Sequence, residues 1–511
     1  MKSNNFYITT PIYYPSGNPH MGHAYSSILA DVFARYKRNE NSNVFFLTGT
    51  DEHGLKIQKA AEKDSSEPLL YCDKISKVFK DLTKKLNLSN DDFIRTTEKR
   101  HHKAVNDLWN RLVKSGDIYL SKYKGWYSVS DEAYYNSDEV VEKNGKRFST
   151  FSGSEVEWVE EESFFFKLSS WEKKLLKFYE KNEKFILPIS RKNEVVNFVK
   201  NGLKDLSVSR TSFTWGIKVP NNEKHVIYVW LDALTNYLSA LNYPNTDDNL
   251  YNKFWPASLH IIGKDILRFH AIYWPAFLLA ANIEPPNRVF GHGWILSGDK
   301  KMSKSRGNIL NPLEIIEKYG IDELRYYLMK EVSHGSDGSI SLENLEKCIN
   351  SDLANNYGNL CQRVFAFIRN NCQNIAVKTK NLSNSDKKLI EETVALTKGL
   401  KTEMDNQNLN NYIKSVVDIS FLTNKYINDE SPWKLKEKNR EKMNNILHIA
   451  LEQIAKISIL LDPIIPIASS KVLDALNIKQ NFRNLSFLDG GNILEDKVKI
   501  EKLDILFKKI T

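Results

Sequence analysis

Ile8-Thr-Thr-Pro-Ile-Tyr-Tyr-Pro-Ser-Gly-Asn-Pro-His-Met-Gly-His23 is the stretch that decides how this 511-residue chain folds. Phe6 to Thr10 is a short β-rich run, and Pro15, Gly17, Asn18 and Pro19 punctuate a loop behind it. Ile28, Leu29, Val32, Phe33 and Tyr36 then recur at helical spacing. His20 and His23 therefore stand where the carboxyl end of a strand feeds a helix start. Open α/β sheets bind ligands at such places, and the amides and dipole of a helix start favour phosphate. Two imidazoles three residues apart are neighbours on that first turn and, as donors, can stabilise charge growing on a phosphate. The same spacing also fits a surface pair capping the loop, or half of a metal site.

A second stretch bears on that choice. Lys301-Met-Ser-Lys-Ser305 follows Gly298 and precedes Arg306-Gly307. A glycine-flanked loop with two lysines and two hydroxyls suits an anionic leaving group that is held and then released. An ordinary basic loop on a solvated face has the same composition. Three further runs lie between the two stretches: Thr48-Gly-Thr-Asp-Glu-His-Gly54, Tyr228-Val-Trp-Leu-Asp-Ala233 and Gly263-Lys-Asp265.

His20-Met-Gly-His23 and Lys301 to Ser305 resemble the HIGH and KMSKS motifs of class I aminoacyl-tRNA synthetases, with methionine where HIGH has isoleucine. The three runs between them narrow the resemblance to the methionyl-tRNA synthetase family, over essentially the whole chain. The family implies an α/β Rossmann-type catalytic domain with an inserted connective-peptide domain, followed by an all-α anticodon-binding helical bundle. On this chain that places the catalytic domain at residues 1–115 and 225–300, the insertion at 116–224, the KMSKS loop and stem-contact region at 301–342, and the helical domain at 343–511. The implied activity joins L-methionine to tRNA(Met), initiator tRNA included, through methionyl-adenylate, with ATP and Mg²⁺ as substrate. Carried over position by position, His20, His23, Lys301 and Lys304 are catalytic and bind ATP together with Asp265. Ile12, Tyr14, Asp51, Trp230, Ala233, Tyr237, Phe269 and His270 bind methionine, and Asn359, Arg363 and Trp433 read the anticodon.

The residues themselves leave alternatives open. Asp51 ends a buried-type strand, Val44 to Leu47, and opens a helix from Leu55 to Lys63. It can meet an ammonium group or simply cap that helix. Trp230, Ala233 and Tyr237 share a helical face, and an aromatic-lined pocket suits a polarisable thioether, but such a stripe also builds ordinary core. Asn359 and Arg363 lie four apart on one helical face, and Trp433 follows Pro432 at the expected start of another helix. Amides, guanidinium groups and aromatic rings read single-stranded RNA, while a capping Asn, a surface Arg and a buried Trp account for the same letters.

Composition sets outer bounds. The length suggests three to four domains. With 41% hydrophobic and 26% charged residues the chain is ordinary globular material. Met1-Lys-Ser-Asn-Asn5 runs straight into the first strand, which reads as a cytoplasmic chain without a leader, and no apolar run approaches a membrane span. A net charge of +9 permits an RNA partner. The four cysteines, Cys72, Cys348, Cys361 and Cys372, lack CxxC spacing and read as reduced. Relatives often carry zinc knuckles in the insertion. Here Ser128 and Asp131 stand where one cysteine pair would be, and residues 116–224 contain no Cys or His, so no structural zinc is expected. Cys72 to Leu86 and Lys99 to Ser115 read as surface helices, and Pro188 to Trp215 as a basic stretch that either approaches the acceptor stem or is a solvated face. Asn311 to Lys330 reads as helix, and 343–510 as helical throughout. The appended tRNA-binding module of some relatives is not expected, and a monomer is expected.

Two rival readings follow from the same letters. Another class I synthetase would need a large editing domain (leucine, valine, isoleucine) or zinc-site cysteines (cysteine). A non-catalytic RNA-binding descendant would not need the histidines and lysines that are present.

Overall fold

The computed structural model describes residues 4–15, 17–131, 133–135, 137–297, 300–301, 310–332, 335–379 and 381–510. It comprises two compact units, Met1–Pro19 with Phe45–His292, and His20–Val44 with Gly293–Thr511.

The first unit is built on a six-stranded sheet. Its strands are β1 (Asn5–Thr9), β2 (Asn43–Thr50), β3 (Asp92–Arg95), β4 (Ile186–Leu187), β5 (Leu259–Gly263) and β6 (Val289–His292), in the order β3-β2-β1-β5-β6-β4. Ile8 pairs with Leu259, His260 with Val289, Leu47 with Asp92 and Val289 with Ile186, all in parallel. Parallel strands need long crossovers and are buried on both faces, which is why β2 and β5 read as continuous apolar runs rather than alternating ones. Gly49 is required at its place in β2, because a Cβ there would fall 2.0 Å from the carbonyl oxygen of Ile94. The helix Lys99–Lys114 is more than a surface helix: Ala104, Val105, Leu108 and Leu112 share one core with Tyr7, Leu47 and Ile94. The other expected surface helix begins earlier than its apolar pattern suggests, at Pro68, where a proline fits the first turn.

Between β3 and β4 the chain forms an antiparallel ribbon, Ile118–Ser128 against Glu157–Phe166, in register from Ile118 opposite Phe166 to Tyr127 opposite Glu157. Asp131 anchors the loop beyond it. Its carboxylate accepts hydrogen bonds from the hydroxyls of Tyr135, Ser152 and Ser154, and its backbone N–H donates to Ser128 Oγ at 3.3 Å. Among the described residues no group of three or more His, Cys, Asp or Glu side chains could hold a metal ion. The basic stretch contains the helix Ile189–Lys200, but Arg210 is not a surface cation. It is buried, 3.9 Å over the Tyr127 ring and 2.5 Å from Glu161.

The second unit holds the helix Met21–Asn39 and the chain beyond β6. Strand Ile295–Ser297 pairs antiparallel with Lys300–Lys301 and parallel with Gly338–Ile340. The helix expected from Asn311 to Lys330 is two helices, Pro312–Tyr319 and Ile321–Glu331, broken at Gly320 with φ of 112°. Helices Asn359–Asn371, Leu409–Glu430, Arg440–Leu461 and Pro466–Ala475 dominate the rest. This region is not helical throughout, because Ile375–Val377 pairs antiparallel with Lys497–Lys499. Pro432 does not open a long helix either. It follows Ser431 at φ of 46°, makes a single 3-10 turn to Lys434, and the next helix starts at Arg440 behind its cap Asn439. Among the described residues no helix is long and apolar enough to cross a membrane.

Candidate active site and anticodon surface

In the second unit, His20 and His23 open the helix Met21–Asn39 as a reciprocal cap. The Gly22 N–H donates to His20 Nδ1 at 3.1 Å, and the His20 N–H donates to His23 Nδ1 at 3.2 Å. The two rings stack with centroids 3.8 Å apart. Because each Nδ1 accepts, each neutral imidazole carries its proton on Nε2, so the pair offers Nε2–H donors at a helix start. Burial, and then the neighbouring His20, hold the His23 imidazole well below its ordinary range, which keeps it in this neutral form. The pair therefore caps the helix. Lys301 lies in the strand Lys300–Lys301. Its side chain, and Lys304 with the rest of 302–309, lie outside the described residues.

In the first unit, the carboxyl ends of β1, β2 and β5 gather the other predicted residues. The Tyr13 N–H donates to the Gly49 carbonyl at 2.7 Å and the Asp51 N–H to the Tyr13 carbonyl at 2.8 Å, so the Ile12–Tyr14 loop and the Asp51 segment are stitched together. Tyr14 Oη donates to the His53 carbonyl at 3.1 Å. Asp51 is buried and does not cap the next helix, whose N-cap is Gly54 at φ of 105°. Ile12 is half-buried against the same core.

Trp230, Phe269, His270 and Tyr237 form one aromatic group. Trp230 stacks on Phe269 with centroids 3.7 Å apart and planes 7° apart, and the His270 ring meets Trp230 edge-on at 6.3 Å. His270 Nδ1 is 3.0 Å from the Ile266 carbonyl and must donate to it, so Nε2, 2.8 Å from Tyr237 Oη, accepts that hydroxyl's proton. Both polar groups thus satisfy each other, which leaves the surroundings suited to an apolar, polarisable side chain. A turn of π-helix, Phe269–Tyr273, brings Phe269 and His270 round together, a device sequence periodicity does not reveal. Ala233 is buried in the helix Val229–Leu234. Asp265 sits on the turn Lys264–Ile266 at the end of β5, where its carboxylate lies over Gly263: a Cβ on that glycine would be 2.5 Å from Asp265 Oδ1.

Burial lowers the His270 pKa from about 6.5 to about 4. The neutral form is therefore favoured in the folded chain, and stability is retained above the unfolded pKa and lost as pH falls from about 6.5 towards 4. At about 1.4 kcal/mol per unit this is about 3 kcal/mol. His270→Gln should flatten the acid limb of a thermal-melting series by that order, and an unchanged limb would show that His270 does not carry it.

Back in the second unit, Asn359 is exposed at the start of its helix. Arg363, one turn on, reaches the helix Leu409–Glu430: Nη1 donates to Asn428 Oδ1 at 2.6 Å and Nη2 to Asn424 Oδ1 at 3.3 Å. That helix ends at Glu430, and the turn after Ser431 carries Trp433, which is 42% exposed rather than buried. An indole left in water by a turn of positive φ fits a stacking surface for a base.

The model of class I tRNA synthetases (M) matches residues 6–146 and 143–365, and that of the anticodon binding domain of methionyl tRNA ligase matches 377–511. The chain belongs to the methionyl class I tRNA synthetases. It is an aminoacyl-tRNA ligase, whose reaction is the ATP-dependent activation of methionine and its transfer to tRNA. Among relatives of this family, the methionine–tRNA ligase of Rickettsia conorii is 46% identical over 519 residues, spanning 98% of this chain and 100% of that protein. That of Brucella suis is 46% identical over 500 residues, spanning 97% of each. The structure of Mycobacterium tuberculosis methionyl-tRNA synthetase in complex with methionyl-adenylate superposes with a TM-score of 0.96 at 41% identity, covering 98% of this chain and 99% of that one. The apo form of the same enzyme gives 0.89 at 38% identity, covering 99% and 98%.

Sequence reasoning quoted two motifs of this synthetase family without assigning all their residues. His53 and Asp232 are both buried and hydrogen-bonded to each other at 2.7 Å. Glu52, fully buried, accepts from Arg95 at 2.7 and 3.0 Å and from Thr97 at 2.6 Å. A charged residue next to a strand end inside a quoted motif was the available signal.

Proposed function

We propose that, in this methionine ligase, Asp51 binds the substrate ammonium group and Ile12, Tyr14, Trp230, Ala233, Tyr237, Phe269 and His270 take up the thioether side chain. His20 and His23 donate Nε2–H groups to the phosphates of ATP, brought with its Mg²⁺. Lys301 and Lys304 neutralise pyrophosphate, and Asp265 orders the ATP ribose. The methionine carboxylate attacks the α-phosphate, pyrophosphate leaves, and the ribose hydroxyl of the tRNA end then attacks the acyl carbon. No covalent enzyme intermediate is required, so catalysis is positioning and charge stabilisation at an in-line phosphoryl centre. Asn359, Arg363 and Trp433 read the anticodon of tRNA(Met), initiator included, by hydrogen bonding and stacking. Residues 1–115 and 225–300 act as the catalytic domain, 116–224 as the connective insertion, 301–342 as the loop and stem-contact region and 343–511 as the anticodon domain. The protein works as a cytoplasmic monomer.

The observation that carries this reading is the pairing of roles within the motifs: a histidine pair at a helix start whose Nδ1 atoms both accept backbone N–H groups, and an aromatic group whose Tyr237 and His270 satisfy each other. The test is ATP–pyrophosphate exchange with each of the twenty amino acids and no tRNA. Exchange with methionine alone is expected. Exchange with another amino acid would overturn the pocket assignment, and no exchange would favour an RNA-binding protein without catalysis. Lys304→Ala should slow exchange by about 10²–10³-fold while leaving methionine affinity nearly unchanged. Loss of affinity with an unchanged rate would remove Lys304 from this role.

A further inference from the structure

We propose that Asp232 is a positioning residue for methionine: its buried carboxylate braces the segment carrying Asp51 against the helices carrying Trp230, Ala233 and Tyr237. The proposal rests on assigning methionine to those residues.

Asp232 is fully buried. Its Oδ2 lies 2.7 Å from His53 Nδ1 and its Oδ1 lies 2.6 Å from His101 Nε2, so one carboxylate accepts from two imidazoles. The three residues come from three separate elements. His53 is two residues beyond Asp51. Asp232 lies between Trp230 and Ala233 on the helix Val229–Leu234. His101 is fully buried on the helix Lys99–Lys114, which belongs to the sheet's own core. His101 Nδ1 also lies 2.8 Å from Ser239 Oγ, two residues beyond Tyr237. A chain of short hydrogen bonds therefore runs from the Asp51 segment through Asp232 and His101 to the Tyr237 helix, with His101 on a helix of the sheet core.

Burial by itself would raise the Asp232 pKa, but the imidazoles of His53 and His101 outweigh it and hold the carboxyl well below its ordinary range, so the brace is ionised. A charged acceptor with two donors gives the shortest and most directional hydrogen bonds available to side chains. The site has a reason to need this. The amine and the thioether of one methionine are only a few bonds apart, yet their assigned partners lie on segments some 180 residues apart in the sequence. Misplacing one set against the other by about 1 Å can cost about 100-fold in reactivity.

The experiment is steady-state pyrophosphate exchange with methionine and ATP varied separately, alongside thermal melting. Asp232→Asn keeps the shape but presents an N–H to one of the two imidazole donors. It is expected to raise the methionine KM by about 10- to 100-fold, with the ATP KM and the melting temperature little changed. His53→Asn and His101→Gln place an N–H where the imidazole donor was and should stay near wild type. His53→Leu and His101→Leu should reproduce Asp232→Asn. An unchanged methionine KM in Asp232→Asn overturns the proposal, and so does an equal rise in both KM values. If Asp232→Asn does not fold, His53→Leu decides in the same way, because His53 is the direct link to the Asp51 segment. Asp51→Asn is measured in parallel. A normal methionine KM there overturns the methionine assignment and this proposal with it. A raised one beside a normal Asp232→Asn overturns the proposal alone.

Discussion

Arg325→Met is expected to lower the stability of the second unit by about 3–5 kcal/mol, because it takes from a buried carboxylate a guanidinium partner that is itself buried. Arg325 is fully buried on the helix Ile321–Glu331. Its Nη2 donates to Asp31 Oδ2 at 2.7 Å and to the Pro463 carbonyl at 2.8 Å, and its Nε donates to the Ile464 carbonyl at 2.8 Å. Asp31, itself fully buried, sits on the helix that begins at the histidine pair, where Arg35 also holds it at 2.7 Å. One guanidinium thus joins the histidine helix, the helix Ile321–Glu331 and the turn closing the helix Arg440–Leu461. Burying these charges is expensive, so the pair is not a simple gain. Taking away one member is what costs most. Arg325→Met with Asp31→Asn should therefore lose less than the two single changes combined, a coupling that a double-mutant cycle reads directly. Full additivity would mean that the contact is not energetically coupled. Because the helix is anchored here, hydrogen exchange near residues 21–39 should quicken in the single variant.

The second large effect is on rate. His20→Asn and His23→Ala should each slow methionine-dependent pyrophosphate exchange by about 10²–10³-fold, the usual cost of one donor aimed at developing charge. His20 is also the N-cap, and losing a cap costs about 1 kcal/mol. Asparagine caps as well as any residue, so His20→Asn removes the imidazole while keeping the cap. An active, normally melting His20→Asn enzyme would mean that His20 only caps. A slow enzyme with a normal melt separates the donor from the cap. His20→Ala should be both slow and less stable.

The sequence announced what is local and hid what is distant. The strand-loop-helix of residues 6–38, the helix after Asp51 and the long helices of the second unit were legible because periodicity, caps and turn residues act within a few positions. The join of the Asp51 segment to Asp232 was not, since His53 and Asp232 are 179 positions apart, and nor was the pairing of Ile375 with Lys499. The ribbon at Ile118–Ser128 was hidden too, because its partner strand comes some 30 residues later and neither strand alternates cleanly. Arg210 looked like a surface cation because nothing nearby in the chain reveals Tyr127 or Glu161. Trp433 was open between core and surface, and one residue of positive φ at Ser431 decided it. Asp51 could have capped a helix, but the cap fell to Gly54, whose positive φ no side chain suits.

The loop closed by Asp131 has a consequence for how the insertion tolerates harsh conditions. A knuckle held by thiolates and a metal ion is only as durable as its reduced sulfur, and it falls apart in chelators or peroxide. Here the same turn is drawn together by one carboxylate and the hydroxyls of Tyr135, Ser152 and Ser154, and residues 116–224 contain no cysteine. The groups that close this loop carry no sulfur to oxidise.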